Sequence, residues 1–224
     1  RLEELAESGR GMDEIIPGIK ESGFDGILLV ITNPVDVVAR YLAVRLGMPW
    51  GRVIGSGTTL DTARLVRELS RRTGVAQHSI QGMVLGEHGE SQVPCWSQVT
   101  AGGVPVRRLM ETDPAWKGLE PETLGDDARG AGWVILCGKG STEFGIGNAA
   151  ALIIRGVQGD EGRILPVSVP VDGSDGGVFA SLPCRLGKNG VEQVFRPDLA
   201  PEEEERFRAS CARMEEFWRT IPGM

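Results

Sequence analysis

The order of apolar and polar residues in the first third of the chain alternates between strand-like and helix-like patterns. Residues 24–32 form a continuous apolar run of strand length, which is typical of a parallel strand covered by helices on both faces. Residues 35–47 predict a helix that ends at a glycine, residues 53–54 a short strand, and residues 59–73 a long helix with arginines on its exposed side. This alternation predicts an α/β fold.

The pattern is less regular at the start of the chain and from residue 80 onward. Residues 1–22 have roughly helical spacing, but Gly9, Gly11 and Pro17 interrupt it, so a broken helix is expected. The later segments are, in order, short β-rich stretches at 80–85 and 92–100, a polar stretch at 111–121 leading into a helix that ends near Cys137, a helix at 144–156, strand-like runs at 163–170, 177–186 and 190–195, and a helix at 201–218. This change predicts two domains, residues 1–56 and residues 57–224.

Composition narrows the class of protein. The chain has 224 residues, a net charge of -7 and a pI near 5.0, which argues against a nucleic-acid or anionic-membrane surface. No apolar run reaches the roughly 18 residues that a membrane span needs. Four cysteines are scattered without metal-ligand spacing, so we expect reduced thiols, no metal site and a cytoplasmic location. They are Cys95, Cys137, Cys184 and Cys211.

One of the two histidines in the chain, His88, lies between glycines in the run Gly86–Glu90. A histidine exchanges protons near neutral pH, and a carboxylate such as Asp61 orients the ring and stabilises its charged form. Arg64 would bind a substrate carboxylate through two parallel hydrogen bonds. Together the three residues describe a site for hydroxy-acid redox chemistry.

Each of these residues also has a simpler interpretation, and the pattern alone leaves both open. A histidine in a loop is more often a surface residue than a catalyst. Asp61 and Arg64 are three residues apart on one helix face, where an exposed ion pair would explain both. Asn33 ends an apolar strand at the edge of a parallel sheet where ligands bind, but Asn33-Pro34 also suits a simple turn.

Two glycine-rich runs were tested as phosphate-binding loops. Residues 145–150 satisfy G-x-G-x-x-G/A, but no apolar strand precedes them and no acidic residue closes a strand about twenty residues later. Tight helix packing explains that run better. Residues 55–57 fail because Leu60 occupies the third glycine position. The sequence therefore contains no dinucleotide-phosphate fingerprint.

Three motifs carry a family resemblance: VITNPVD at 30–36, VIGSGTTLDTAR at 53–64 and LGEHGESQVP at 85–94. In this order they resemble the L-lactate dehydrogenase family and its L-2-hydroxyacid relatives, and the resemblance continues through residues 138–147 and 167–187. The family's glycine-rich first strand-to-helix turn has no counterpart here, so an N-terminally incomplete chain is expected. The implied fold is the C-terminal part of a Rossmann-type parallel sheet domain followed by an α+β substrate domain of the lactate dehydrogenase kind.

The resemblance implies a role for each matching residue. His88 would exchange a proton with the substrate hydroxyl, Asp61 would orient it, and Arg1 would polarise the substrate carbonyl. Substrate-binding residues would be Arg64, Asn33 and Thr142. The cofactor would be NAD, with its nicotinamide half near Ile31, Thr32, Asn33, Ser56 and Ile146.

These roles predict an NAD-dependent dehydrogenase that acts on a small 2-oxo or 2-hydroxy acid, and the family implies a homotetramer. GSGT before Asp61 and GEHG around His88 favour the lactate type. One alternative is a noncatalytic fragment that lacks the nucleotide-binding half. The others are a branched-chain hydroxyacid dehydrogenase, which KESGFDG at 20–26 resembles, and a malate dehydrogenase.

Overall fold

A computed structural model describes the backbone of residues 2–221 and the side chains of residues 8–221. The helices of this part are α1 (Leu2–Glu21), α2 (Val35–Leu46), α3 (Thr59–Thr73), α4 (Val106–Thr112), α5 (Pro121–Lys139), α6 (Glu143–Gln158) and α7 (Pro201–Arg219). The strands are β1 (Leu28–Val30), β2 (Val53–Gly55), β3 (Ile80–Gln81), β4 (Val84–Leu85), β5 (Val93–Pro94), β6 (Thr100–Ala101), β7 (Val104–Pro105), β8 (Arg163–Pro170), β9 (Phe179–Gly187) and β10 (Gly190–Val194). Among the described helices, none is both long and apolar enough to cross a bilayer.

One mixed sheet forms the centre of the molecule, in the strand order β1-β2-β8-β9-β10. β1 and β2 are parallel, whereas β8, β9 and β10 are antiparallel. The two parts join where Gly55 of β2 pairs with Ser168 of β8. The predicted fold class is confirmed, because a parallel α/β part leads into an antiparallel sheet with helices. The sheet is continuous across residue 57, and the division into two domains stays a prediction.

Strand β1 is much shorter than the predicted strand at 24–32, and that prediction is wrong in length. β1 pairs only with β2, which offers three residues before Gly57 turns the chain at φ +52°. The backbone N–H of Ser56 adds one further bond to the carbonyl of Val30, at 2.8 Å. Beyond these pairs Ile27 is partly buried, whereas Phe24 and Ile31 are 43% and 49% exposed.

Helix α1 is continuous, so the prediction of a broken helix is also wrong. Gly9 and Gly11 have open space around them, and Pro17 lies inside the helix. A proline removes one helical hydrogen bond, but packing of an apolar face compensates for weak propensity. Here Met12 and Ile16 pack into the cluster beneath α2.

The sheet separates two apolar clusters because alternate strand residues point to opposite faces. Leu28 and Val53 pack with α2 and the end of α7, while Leu29 and Ile54 pack with α6 and the start of α7. A third cluster lies between α3 and α5, beside the small strands. It includes Val106 of α4, a helix that the sequence analysis did not predict.

Both glycine-rich runs are packing sites. A Cβ on Gly55 would lie 2.8 Å from the Cβ of Ser168, and a Cβ on Gly57 would collide with the hydroxyl of Ser181. Residues 55–57 therefore bring the start of α3 against β8 and β9. Gly145 lies inside α6, where a Cβ would be 3.1 Å from Leu60, which agrees with the interpretation as helix packing.

Glu68 binds two arginines of its own helix α3, and one of them, Arg72, reaches α5. Its largely buried carboxylate accepts hydrogen bonds from Arg71 at 2.6 Å and Arg72 at 2.8 Å, and Arg72 also binds Asp127 of α5 at 2.7 Å. The hydrogen bond from Arg71, followed by that from Arg72, lowers the pKa of Glu68 from 4.5 to about 2. Ionised Glu68 therefore stabilises the fold above pH 4.5, and this contribution is lost as the pH falls toward 2.

We predict that Glu68→Gln lowers the free energy of unfolding at pH 7 by about 1–2 kcal/mol, a value reduced by the solvent exposure of both arginines. Urea unfolding at a series of pH values measures it, and the difference from wild type shrinks as the pH falls below 4.5. Glu111→Gln, at an exposed site on α4, serves as the control. A difference that stays constant with pH would contradict this account.

Candidate active site

Helix α3 begins at a point fixed by two neighbouring strands. The hydroxyl of Thr58 donates to the carbonyl of Val84 at 2.5 Å, and its backbone N–H donates to the hydroxyl of Ser181 at 2.9 Å. Asp61 follows in the first turn, where the helix dipole favours a carboxylate. Its position relative to β4 and β9 is therefore set by buried hydrogen bonds.

The loop that carries His88 leaves β4 at Gly86, which has φ +82°. Gly86 exchanges two backbone hydrogen bonds with Ser181 of β9, at 3.1 and 2.8 Å. The N–H of Glu87 donates to the hydroxyl of Ser210 of α7 at 2.8 Å, and the Glu87 carboxylate accepts from the N–H and hydroxyl of Ser91. The loop is thus held by hydrogen bonds both before His88, at Gly86 and Glu87, and after it, at Ser91.

The structure brings His88, Asp61 and Arg64 together around one carboxylate. Nδ1 of His88 lies 2.5 Å from Oδ2 of Asp61, and Nη1 of Arg64 donates to Oδ1 at 3.2 Å. The side chain of Asp61 is 4% exposed and that of Arg64 12%, so an exposed surface ion pair is excluded. Because Nδ1 is bonded to Asp61, Nε2 is the ring nitrogen left to meet another molecule.

The charges around His88 favour its protonated form. Burial by itself would lower the pKa of the ring, but the charge of Asp61 and its hydrogen bond outweigh this, and Asp36 adds to them. Arg64 opposes the effect without reversing it, so the pKa of His88 is raised above 6.5. The ring is therefore prepared to donate a proton near neutral pH.

Arg64 and Thr142 lie in the same cavity of about 360 Å³ between α3 and the junction of α5 and α6. Its apolar lining includes Leu60 and Phe144. His88 does not line this cavity, which runs from Arg64 toward the C-terminal end of α3. Arg64 is therefore the residue that connects the cavity with the His88 cluster.

Four of the five residues predicted near a cofactor follow the carboxyl ends of β1 and β2. Ile31, Thr32 and Asn33 are exposed there, and Ser56 is buried beside them. The backbone carbonyl of Asn33 accepts a hydrogen bond from Ser8 of α1 at 2.7 Å. Ile146 lies half-buried in the first turns of α6. Arg1 lies outside the described residues.

Asp36 contacts the site and was missed by the sequence analysis. It lies in the first turn of α2, and its Oδ2 accepts the backbone N–H of His88 at 2.9 Å. A signal was present in the sequence, because Asp36 is a charged residue among the valines Val35, Val37 and Val38. Ser210 was missed for a different reason, since a serine in an amphipathic helix is unremarkable.

Comparison with known proteins agrees with this arrangement. The family model described as "lactate/malate dehydrogenase, alpha/beta C-terminal domain" matches residues 58–218. The chain therefore belongs to the lactate/malate dehydrogenase family.

Similar curated proteins are named as L-lactate dehydrogenases. That of Fusobacterium nucleatum is 39% identical over 97% of this chain and 69% of its own length, and L-lactate dehydrogenase 3 of Bacillus thuringiensis is 37% identical over 99% and 71%. Among solved structures, a lactate dehydrogenase from a Medee basin deep-sea metagenome library matches with a TM-score of 0.88 and 34% identity, over 92% of this chain and 67% of its own. The ligand-bound minor L-lactate dehydrogenase of Enterococcus mundtii matches with a TM-score of 0.87 and 33% identity, over 94% of this chain and 68% of its own.

We predict that Gly86 cannot take a side chain without strain, because Ser210 of α7 lies too close. In Gly86→Ala the new Cβ would lie 2.6 Å from the hydroxyl oxygen of Ser210, and the alanine would have to adopt an unfavourable positive φ. The expected loss in free energy of unfolding is about 2–4 kcal/mol.

Gly102→Ala is the matched control, because Gly102 has φ +57° but nothing within 4 Å of a new Cβ. Gly102→Ala should lower the free energy of unfolding by only about 1 kcal/mol, the cost of placing alanine at a positive φ. Chemical denaturation of both variants measures the difference. Equal losses would show that Ser210 adds nothing to the constraint.

Proposed function

We propose that this chain is an NAD-dependent L-2-hydroxyacid dehydrogenase of the lactate type, which interconverts a 2-oxo acid such as pyruvate with its 2-hydroxy acid. The observation that carries the proposal is the buried Asp61 carboxylate shared by His88 and Arg64. A proton donor and a carboxylate-binding guanidinium held by one anion are the two groups that such a substrate requires. The L-lactate dehydrogenase relatives support the lactate type over the malate, branched-chain and noncatalytic alternatives.

In this mechanism Arg64 binds the substrate carboxylate and His88 works at the adjacent carbon. During reduction, Nε2 of protonated His88 donates its proton to the carbonyl oxygen as negative charge develops there. In the reverse direction neutral His88 accepts the hydroxyl proton. Asp61 keeps Nδ1 bonded in both states, so the ring does not rotate between turnovers. Thr142 is proposed as a further hydroxyl contact, and Arg1 as the group that polarises the carbonyl.

The residues present fit the nicotinamide end of NAD, which when bound supplies or accepts the hydride. Ile31 offers an exposed apolar surface at the carboxyl end of a parallel strand, the position where α/β proteins bind nucleotides. Thr32, Asn33, Ser56 and Ile146 are proposed to hold the same end. Exposure of an isoleucine at this sheet edge is explained if a flat ring covers it.

The other expectations from the sequence stay proposals. The family match over residues 58–218 supports a substrate domain that begins near residue 57, after a nucleotide-binding part at 1–56. We propose a cytoplasmic location on the basis of the scattered cysteines, two of which, Cys95 and Cys184, are free and buried.

The activity is tested by following NADH oxidation with pyruvate, oxaloacetate and 2-ketoisocaproate. Pyruvate is expected to give the highest kcat/KM. His88→Gln should reduce kcat by ~10²–10⁴-fold because it removes the acid–base group. Arg64→Lys should raise KM by ~10-fold or more, since lysine cannot form the paired hydrogen bonds.

The matched control is His78→Gln, because His78 is the second of the chain's two histidines and is exposed. This variant should keep the wild-type rate. Absence of NADH oxidation with all three acids would support the noncatalytic alternative. A higher kcat/KM with oxaloacetate than with pyruvate would support the malate dehydrogenase alternative.

We also propose a homo-oligomer, a tetramer by family resemblance. Exposed apolar side chains favour association. Trp133 and Val134 of α5 are 69% and 72% exposed, and Phe144 of α6 is 83% exposed. Sedimentation equilibrium should give four times the chain mass of 24.0 kDa. A monodisperse species of 24.0 kDa would contradict association.

A further inference from the structure

We propose that Asp36 is a positioning residue for the reaction, which holds the backbone of His88 and places a second negative charge beside its ring. This inference rests on the proposed function, because it assigns Asp36 to the proton-transfer step at His88. Asp61 acts on the ring from α3, whereas Asp36 acts on the main chain from α2. The two carboxylates therefore hold His88 from different elements of the fold.

The geometry shows a carboxylate directed at the catalytic loop. Asp36 is 1% exposed, and its Oδ2 accepts the N–H of His88 at 2.9 Å. Oδ1 of Asp36 and the hydroxyl oxygen of Ser168 are both buried without a hydrogen bond of good geometry among the described residues, although Ser168 is near enough to lower the pKa of Asp36. Oδ2 is therefore the oxygen with a well-formed hydrogen bond, and its donor is His88.

Stability alone does not explain a carboxylate at this position. Burial of a carboxylate that makes one well-formed hydrogen bond is costly, and an apolar residue would fit among the neighbouring valines at lower cost. Burial raises the pKa of Asp36 to about 6, which means that its ionised form is disfavoured in the folded protein. Asp36 is then still mainly ionised at pH 7, where its charge acts on His88.

The ionisable groups around Asp36 come from several elements. His88 and Glu87 face it from the catalytic loop, and their charges respectively lower and raise its pKa. Cys211 of α7 is close enough for Asp36 to raise the pKa of the thiol. Arg40, one turn further along α2, lines a small cavity with Asp36 and binds Glu215 at 2.6 Å. His88 is the cation that both hydrogen-bonds Asp36 and lowers its pKa.

Asp36→Asn tests the charge while keeping the shape. The amide oxygen of asparagine still accepts the N–H of His88, and its NH₂ group can donate to the hydroxyl of Ser168. Because the chain has only two histidines, an NMR titration of the imidazole signals gives two curves, and His78→Gln assigns them. The pKa of His88 should fall by ~0.5 unit or more in Asp36→Asn, while that of His78 stays unchanged.

Kinetics provide a second readout that a merely structural role would not change. Pyruvate reduction needs protonated His88, so the pH at which kcat/KM declines should move down by the same amount as the His88 pKa. The melting temperature at pH 7 should be equal to or higher than that of wild type, because the disfavoured charge has been removed. Asp36→Leu, which removes the charge and the acceptor, should shift the pKa at least as far.

Glu203→Gln is the matched control, since Glu203 is a buried carboxylate that binds Ser97 and the backbone of Ala200, away from the site. Glu203→Gln should leave the pKa of both histidines unchanged. An unchanged His88 pKa in folded Asp36→Asn or Asp36→Leu would overturn the role of Asp36. A wild-type protein that oxidises no NADH would instead overturn the proposed function, so the two failures are distinguishable.

Discussion

The arrangement of the site depends on one buried carboxylate that serves two cations. Asp61 binds the ring of His88 through one oxygen and the guanidinium of Arg64 through the other. Removing a carboxylate from water is costly, and the cost is offset only when its partners are placed well. The start of α3 and the loop after β4 must therefore be fixed relative to each other. Both are fastened to the same residue of β9, Ser181, which binds Thr58 by its hydroxyl and Gly86 by its main chain.

The mixed sheet explains how distant parts of the chain meet at this point. The pairing of Gly55 with Ser168 joins the parallel part to the antiparallel part, and close approach is possible because glycine lacks a side chain. α2 then packs on the face from which Asp36 reaches His88, while α7 reaches Glu87 through Ser210. The His88 loop is thus in contact with α2 near the start of the described chain and with α7 near its end.

Local patterns in the sequence were sufficient for elements whose limits are set locally. α3 spans the predicted residues 59–73, and Gly74 ends it. β8 likewise spans the predicted residues 163–170. The length of β1 and the continuity of α1 could not be predicted. Pairing with a short neighbouring strand limits β1, and packing against α2 keeps α1 continuous. In the site, the motifs identified Asp61, Arg64 and His88, and the structure brings them together. Asp36 stands out as a charge among valines, but its partner lies in a loop 52 residues away, so the sequence does not reveal what it contacts.

The contact between Glu87 and Ser210 joins residues 123 positions apart. During synthesis the His88 loop emerges long before α7, so it lacks this partner until residue 210 has left the ribosome. A nascent chain can form α3 and β4 earlier, but the loop after β4 is not yet fastened to α7. The contact at Glu87 is therefore completed only when α7 docks, well after His88 itself has been made.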